Sequence, residues 1–308
     1  MSGFNFLRES ELHIHYGSNR YNVKITPSLS FSQTFAEDAY EVKTLHNQLN
    51  MFSGTSITKA NPANFSFEVH LTKEKDEQIV LDLLLDYDGL TDPVIQLKSF
   101  DMYIVSNSQT LKIEGCVITQ GEFKFDKGGP LILAVSGSGK QLSRVGDEQY
   151  LNTVDPTPGT LQSASTTRTP TIPLLDVEVS GTDVSNLVAA TLQVQNNIDW
   201  TPYETLQDSL SVTNASNAMY PSSYSLNDRV VSGNITQFYT NANQSEIQTF
   251  NTNTSVAVKT LVDGNTFLNA NLTGCMFTKR SNPAEVFTQT YDYRLVTSPN
   301  DLGTIITY

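Results

Sequence analysis

Residues 115–142 read GCVITQGEFKFDKGGPLILAVSGSGKQL, two strand-like runs around Asp126-Lys127-Gly128-Gly129-Pro130. Side chains alternate across a strand, so Cys116, Ile118, Gln120, Glu122 and Lys124 are expected on one face and Val117, Thr119, Gly121, Phe123 and Phe125 on the other. The aromatic face is the one expected to be buried. The Gly- and Pro-rich break tolerates positive φ and presets a turn, and LILAVSG returns as the second strand of a hairpin.

The opening of this hairpin recurs late in the chain, as Gly274-Cys275-Met276-Phe277-Thr278 against Gly115-Cys116-Val117-Ile118-Thr119. Its flanks recur in the same order. Residues 26–35 have a counterpart in residues 189–198, and Tyr40-Glu41 is echoed by Tyr203-Glu204. Met51-Phe52 is matched by Met219-Tyr220, and residues 64–71 by residues 230–239. Finally YIVSNSQTLKIEGCVIT corresponds to VKTLVDGNTFLNANLTGCMFT. Matched elements in one order point to duplication of a β domain. The expected division is a first β-sandwich over residues 1–145, a Pro/Thr/Ser-rich linker over 146–173 and a second β-sandwich over 174–308.

A chain of 308 residues accommodates two such cores. Charged residues make up only 17%, and alternating runs outnumber helical ones, so an all-β class with a minor helix is expected. The net charge of -13 argues against grasping nucleic acid, which needs cations to displace counterions. Cys116 and Cys275 sit at equivalent repeat positions, too far apart for a disulfide, and are expected to be free thiols. No basic, apolar leader or bilayer-length apolar run is legible in the sequence.

Residues 72–87, TKEKDEQIVLDLLLDY, read as the one helix, with Thr72 as cap, Glu74, Asp76 and Glu77 at its positive end, and Ile79, Leu83 and Leu84 as its apolar stripe. Residues 37–64 and 204–229 read as long loops with more apolar residues than a solvated loop needs. Val42, Leu45, Leu49, Met51, Phe52 and Ile57 in the first, and Leu206, Leu210, Met219, Tyr220 and Tyr224 in the second, are candidates for intersubunit or inter-ring contact.

Catalytic and metal signals fail their tests. His13, His15, His46 and His70 lack the spacing of a metal site. Asp86-Tyr87-Asp88-Gly89 lacks the remaining ligands of a calcium loop. Gly137-Ser138-Gly139-Lys140 has Ala134 and Gln141 where a phosphate loop needs Gly and Ser or Thr. No enzyme activity, cofactor or metal is expected.

The 115–142 hairpin, the acidic Pro-containing connector, LVAATLQVQNNIDWTPY and RVVSGNITQFY together resemble the tail tube proteins of long-tailed bacteriophages, especially siphophage tube proteins with two tandem tube domains per chain. That resemblance implies two β-sandwiches, each with a flanking helix or helical turn, whose inner sheets join those of neighbours into an intersubunit β-barrel. It also implies three-chain rings of near-sixfold symmetry, stacked as a conduit for DNA ejection. The implied partners are further copies of the chain, a tape measure protein, terminator and baseplate proteins, and viral DNA passing without specific binding. The implied location is the virion tail, assembled in the host cytoplasm.

If the inner sheet lines a bore, alternation against the core residues Phe65, Phe67, Val69 and Leu71 places Ser66, Glu68 and His70 in the lumen. Glu122 and Lys124 join them, with Gln193, Gln195 and Gln237 as the uncharged counterparts of the second copy. Rival readings are a carbohydrate- or receptor-binding double β-sandwich, or another tail component such as a terminator or baseplate hub protein.

Overall fold

The structure, a computed structural model, describes residues 7–44, 47–88, 96–106, 109–125, 128–145, 159–201, 220–241, 243, 254–283, 285–296 and 302–308, with residues 37–44 and 47–58 described through their backbone alone. The fold is mostly β, as the sequence implies, and the described residues hold one α-helix and no closed barrel.

In chain order come β1 (Glu11–Tyr16), β2 (Asn19–Val23), β3 (Ser30–Ser32), β4 (Phe35–Thr44), β5 (Asn47–Ala60) and β6 (Ala63–His70). Helix α1 (Gln78–Leu85) follows, then β7 (Phe100–Val105), β8 (Thr110–Lys124), β9 (Ile132–Gly139), β10 (Gln141–Val145) and β11 (Thr160–Leu161). The remainder is β12 (Leu174–Val179), β13 (Thr182–Asp183), β14 (Leu187–Trp200), β15 (Tyr224–Phe238), β16 (Thr254–Val262), β17 (Asn265–Asn282), β18 (Thr288–Leu295) and β19 (Ile306–Thr307).

One set of antiparallel pairings occurs twice. β1–β2, β1–β7, β7–β8, β8–β9, β6–β9, β3–β6 and β10–β8 have counterparts in β12–β13, β12–β16, β16–β17, β17–β18, β15–β18, β14–β15 and β19–β17. Local chemistry follows the same plan: Gly115 and Gly274 both take positive φ, 58° and 87°, at corresponding points of β8 and β17. There β8 leaves β7 and β10 to pair with β9, and β17 leaves β16 and β19 to pair with β18. Two layers result, with Leu12, Ile14, Met102, Phe65 and Phe67 among the buried residues in the first half and Val256, Val258, Ile235 and Tyr291 in the second.

The pairing β8–β14 fuses the halves. It makes a continuous antiparallel sheet, β3-β6-β9-β8-β14-β15-β18-β17.

Several expectations are corrected. Strand β8 does not keep one alternation throughout, because Ile118 opposes Gly137 while Gln120 opposes Ser136, leaving Thr119 as an extra residue. This bulge shifts the phase, so Cys116 and Ile118 share the core with Phe123 and are not on the face of Glu122 and Lys124. Residues 26–35 contribute strand only at β3 and at Phe35, the first residue of β4, since Pro27 lies in a turn in which the Ser28 amide bonds Thr26 O. The helix is shorter than residues 72–87. Thr72 does not cap it but donates through its amide and hydroxyl to Glu77, the N-cap residue. Val80, Leu81 and Leu85 are buried as fully as Ile79, Leu83 and Leu84, because α1 is covered on more than one side. Finally, the loop expected over residues 37–64 is strand at residues 37–44 and 47–60: β4 and β5 form a two-stranded ribbon that, among the described strands, pairs only with itself.

Candidate assembly and lumenal surfaces

Directly opposed residues in a sheet share a face. The registers therefore place Glu68, Ala134, Glu122, Gln193, Ser232 and Arg294 in one row, and His70, Ile132, Lys124, Thr191, Asn234 and Asp292 in the next. Ser66, Ser136, Gln120 and Gln195 form a third. Ser66, Glu68, His70, Glu122, Lys124, Gln193 and Gln195 thus lie together on one polar face that runs unbroken across both halves.

Gln237 does not join them. It is fully buried on the core side, donating to the Tyr291 hydroxyl at 3.5 Å, which itself donates to Gln289 Oε1 at 2.6 Å. Ile235, two residues earlier and buried, carried the signal that Gln237 faces inward.

Charge on this face is mixed. The carboxylates Glu68, Glu122, Asp228 and Asp292 are interspersed with Lys124, Arg280 and Arg294. Lys124 pairs with Glu68, and Arg280 Nη2 lies 2.7 Å from Asp292.

Among the described strands both ends of the long sheet are open: β3 pairs only β6, and beyond Cys275 β17 pairs only β18. Ser30 and Ser32 on one edge, and Thr278, Arg280, Ser281 and Asn282 on the other, are exposed.

The join between β8 and β14 is sealed by α1. A Cβ on Gly121 would collide with Leu84, so the glycine lets the helix lie directly on the strand. Arg229, reaching in from β15, donates through Nη1 to Leu85 O and through Nε to Asn196 Oδ1, each at 2.6 Å. Asn196 in turn donates to Ile118 O at 2.9 Å. A cation at these last carbonyls both satisfies helix-end acceptors and complements the helix dipole.

A second fastening involves Glu74, Asp76 and Glu77, expected as helix-end charges. They instead grip the connector: Thr169 bonds Glu74 through amide and hydroxyl, Ser165 N donates to Asp76 at 3.0 Å, and Arg168 Nη1 donates to Glu77 at 3.2 Å. The amide bond from Thr169 holds the Glu74 carboxyl below its ordinary range. The chain's last residue, Tyr308, donates to Thr72 O at 2.9 Å. Burial pushes its phenol well up. Neither Arg229 nor this fastening was visible in the sequence, because each depends on segments far apart in the chain.

Of the contact candidates, Val42 and Met51 are Cα partners in the ribbon, as are Glu41 and Phe52, and Leu49 and Ile57 lie on β5. Leu45, Leu206, Leu210 and Met219 lie outside the described residues. Tyr224 is corrected from loop to strand: it opens β15, packs edge-on against Trp200 at 5.5 Å and donates to Leu97 O at 2.8 Å. Tyr220 is half-buried.

Among the described residues, the group with metal-like proximity is Asp176, Glu178 and Asp183. Burial, then the neighbouring Asp183 and Glu178, raise the Asp176 carboxyl, and Lys259 already pairs with Glu178. His46 lies outside the described residues, and His13 lies 3.3 Å from Glu11. No described helix is long and apolar enough to cross a membrane.

A doubled strand plan with one continuous polar sheet is therefore what sequence relatives must explain. The sequence profile of the Bacteriophage Baseplate Tube Protein Family matches residues 2–308. The chain belongs to that family. It is 24% identical over 149 residues to "Baseplate tube protein p140" of Escherichia phage T5, an alignment covering 44% of this chain and 48% of that relative. Among solved structures, the anti-feeding prophage baseplate, 6-fold symmetrised, aligns with TM-score 0.36 and 12% identity over 48% of this chain and 99% of that one. Membership of the baseplate tube family gives the chain a structural role in the phage tail tube or baseplate, as a component of the virion.

Proposed function

We propose that three copies of this chain join edge to edge into a ring of six tube-type repeats, forming a segment of the conduit through which viral DNA leaves. The chain is then two tandem domains, residues 1–145 and 174–308, with residues 146–173 connecting them. The observation carrying this reading is the β8–β14 junction.

In the doubled strand plan, β14 corresponds to β3 and β8 to β17. The pairing β8–β14 is thus an internal template for a pairing of β17 with β3 of the next copy. Its register, Lys124 with Thr191, Glu122 with Gln193 and Gln120 with Gln195, transfers to Asn282 with Ser30, Arg280 with Ser32 and Thr278 with Thr34. Such joining covers both open edges, which otherwise invite indiscriminate strand pairing. The polar face carrying Glu68, Glu122 and Lys124 becomes the wall of the bore, and the ribbon β4–β5 a contact between subunits or rings. The ring would sit among further tail partners, the tape measure protein and terminator or baseplate proteins, in a virion assembled in the host cytoplasm.

The test is a cysteine at each proposed partner, Ser30→Cys with Asn282→Cys, followed by mild oxidation and microscopy. Both native cysteines are free and buried, so they contribute no background. Closed three-chain rings locked by the new bridge are the expected product. Oxidised protein that stays monomeric at high concentration overturns the reading.

A further inference from the structure

Where β6 ends and β9 begins, the first half closes on a piece of the connector. Leu71 N donates to Leu131 O at 2.9 Å, Leu131 N to Thr171 O at 2.9 Å and Thr171 N to Leu71 O at 3.3 Å, so Thr171 completes a triangle of bonds with the two strand ends. Beside it, Thr72 and Pro170 form an isolated antiparallel bridge. Covered in this way, Leu71 and Leu131 are only 0% and 1% exposed.

The second half builds the same place and leaves it open. The last pairs of the corresponding ladders, His70 with Ile132 and Phe238 with Thr288, make Tyr239 the counterpart of Leu71 and Phe287 that of Leu131, and Tyr239 N donates to Phe287 O at 2.8 Å. Among the described residues no backbone group takes the place of Thr171, and Phe287 N and Tyr239 O lack the two bonds it supplies in the first half. Tyr239 is 37% exposed and Phe287 59%. Thr240, the counterpart of Thr72, has a buried hydroxyl with no hydrogen-bond partner among the described residues. Apolar surface beside unbonded strand-end backbone suits an extended segment that brings both a main chain and apolar side chains.

The doubled strand plan singles out that segment. Val179 in β12 matches Ile14 in β1, because they pair with Val256 and Met102, whose own partners Leu272 and Ile113 each stand two residues before the positive-φ glycine. Thr171 lies eight residues before Val179, and the residue eight before Ile14 is Phe6. Within the chain, the segment leading into the second half fills the slot of the first. Around a ring, the segment leading into β1 of the next copy meets the slot of the second half in the same way. The chemistry agrees. Asp76 and Glu77 beside the first slot hold Arg168, whereas residues 240–245, TNANQS, carry no acid and residues 3–6, GFNF, bring no cation but two phenylalanines. Leu7–Glu9 make a single 3-10 turn that buries none of its residues, so straightening it sacrifices no packing.

We infer that Phe4-Asn5-Phe6-Leu7 of one copy adds as a short strand to Tyr239 and Phe287 of its neighbour, strapping each copy to the next. This rests on the ring reading for the placing of the neighbour, while its own claim is that this segment fills this slot.

By the pattern of Thr72 with Pro170, Asn5 falls opposite Thr240 as a non-hydrogen-bonded pair, whose Cα atoms stand about 4.5 Å apart, within reach of a disulfide. The experiment is Asn5→Cys with Thr240→Cys in the full chain, mildly oxidised, with covalent three-chain species on a non-reducing gel as the expected product. A control combining Asn5→Cys with Met276→Cys sets the background. Bridging no higher than that background, or bridges formed within single chains, overturns the inference. The edge pair Ser30→Cys with Asn282→Cys, run in parallel, separates the two claims. Edge bridges without bridges at Thr240 sink the strap and leave the ring standing, whereas bridges between chains at Thr240 without edge bridges do the reverse. Phe6→Ser provides a second reading: it is expected to leave the circular dichroism unchanged and make rings about tenfold scarcer, the effect of losing one buried aromatic side chain. A ring yield equal to that of the unaltered chain counts against the strap.

Discussion

Tyr293 and Gly233 are Cα partners across β15 and β18, and the tyrosine ring fills the space a Cβ on Gly233 would need. The Tyr293 hydroxyl passes on to donate to Thr191 O at 2.8 Å. At the corresponding place in the first half, Phe65 opposes Gly137 and its ring fills the matching space. The roles have exchanged strands, with the aromatic on β6 in one half and on β18 in the other. What is maintained is one ring and one vacancy per cross-strand pair, a packing constraint rather than a residue.

Gly233→Ala and Gly137→Ala should each cost about 3 kcal/mol, because the added methyl meets backbone oxygen as well as an aromatic ring and overpacked interiors relax poorly. Urea denaturation midpoints measure this. A cost below about 1 kcal/mol at both sites would show that the strands part easily there.

Replacing Arg229 with Met should destabilise the chain by about 3 kcal/mol, since it strands the Leu85 carbonyl and the Asn196 amide oxygen in a dry site. The loss should be shared with Asn196→Ala, so the double variant is expected to lose less than the sum of the two. Additive losses in a double-mutant cycle would mean the two side chains act independently.

Alkaline pH should loosen the fold. Burial pushes Cys275 and Tyr224 each up to about 12 in the folded chain, from ordinary values of 9.0 and 10.0, and pushes Cys116 well up. A group whose folded pKa is raised stabilises fully below its unfolded pKa, and that contribution is lost as pH climbs to the folded value. Stability should therefore be flat below about pH 9 and fall toward pH 12. Thiol reagents at pH 8 should find neither cysteine until denaturant is added, and prompt labelling of the native chain would contradict the burial seen here.

The strand plan was legible because period-two alternation and turn residues act locally: Asp263-Gly264, both at positive φ, closes the β16–β17 hairpin as such a dipeptide should. The five-residue echo around Gly115 and Gly274 pointed to the strands that change partners. Phase was less legible. The bulge at Thr119 flips half of β8, and nothing in GCVITQGEF marks it, because bulges answer to the neighbouring strand. The apolar residues of 37–60 suggested a docking loop, but Val42 facing Met51 in register is a matter of pairing that composition does not reveal. The clamp of Glu77 by Thr72 and Arg168 joins residues 91 positions apart and could not be read from either neighbourhood alone.

The polar face yields the last prediction. Glu68 and Glu122 stand in one row across β6, β9 and β8, with Lys124 one row away and paired to Glu68. Because Lys124, Arg280 and Arg294 already offset much of the negative charge there, a wall built from this face repels DNA through a thin margin. Glu68→Lys with Glu122→Lys moves the local balance by four charge units per copy, beyond that margin, and places a second cation beside Lys124. These side chains are absent from the core and from both open edges, so rings should still form. Each new ammonium gives a passing phosphate a contact that releases counterions, and DNA release from phage carrying the double variant should slow at low salt and recover as salt is raised. Release unchanged at every ionic strength would remove these carboxylates from the DNA path. It would leave the edge-to-edge ring untouched, because that rests on the register of β8 with β14 and on no charge at all.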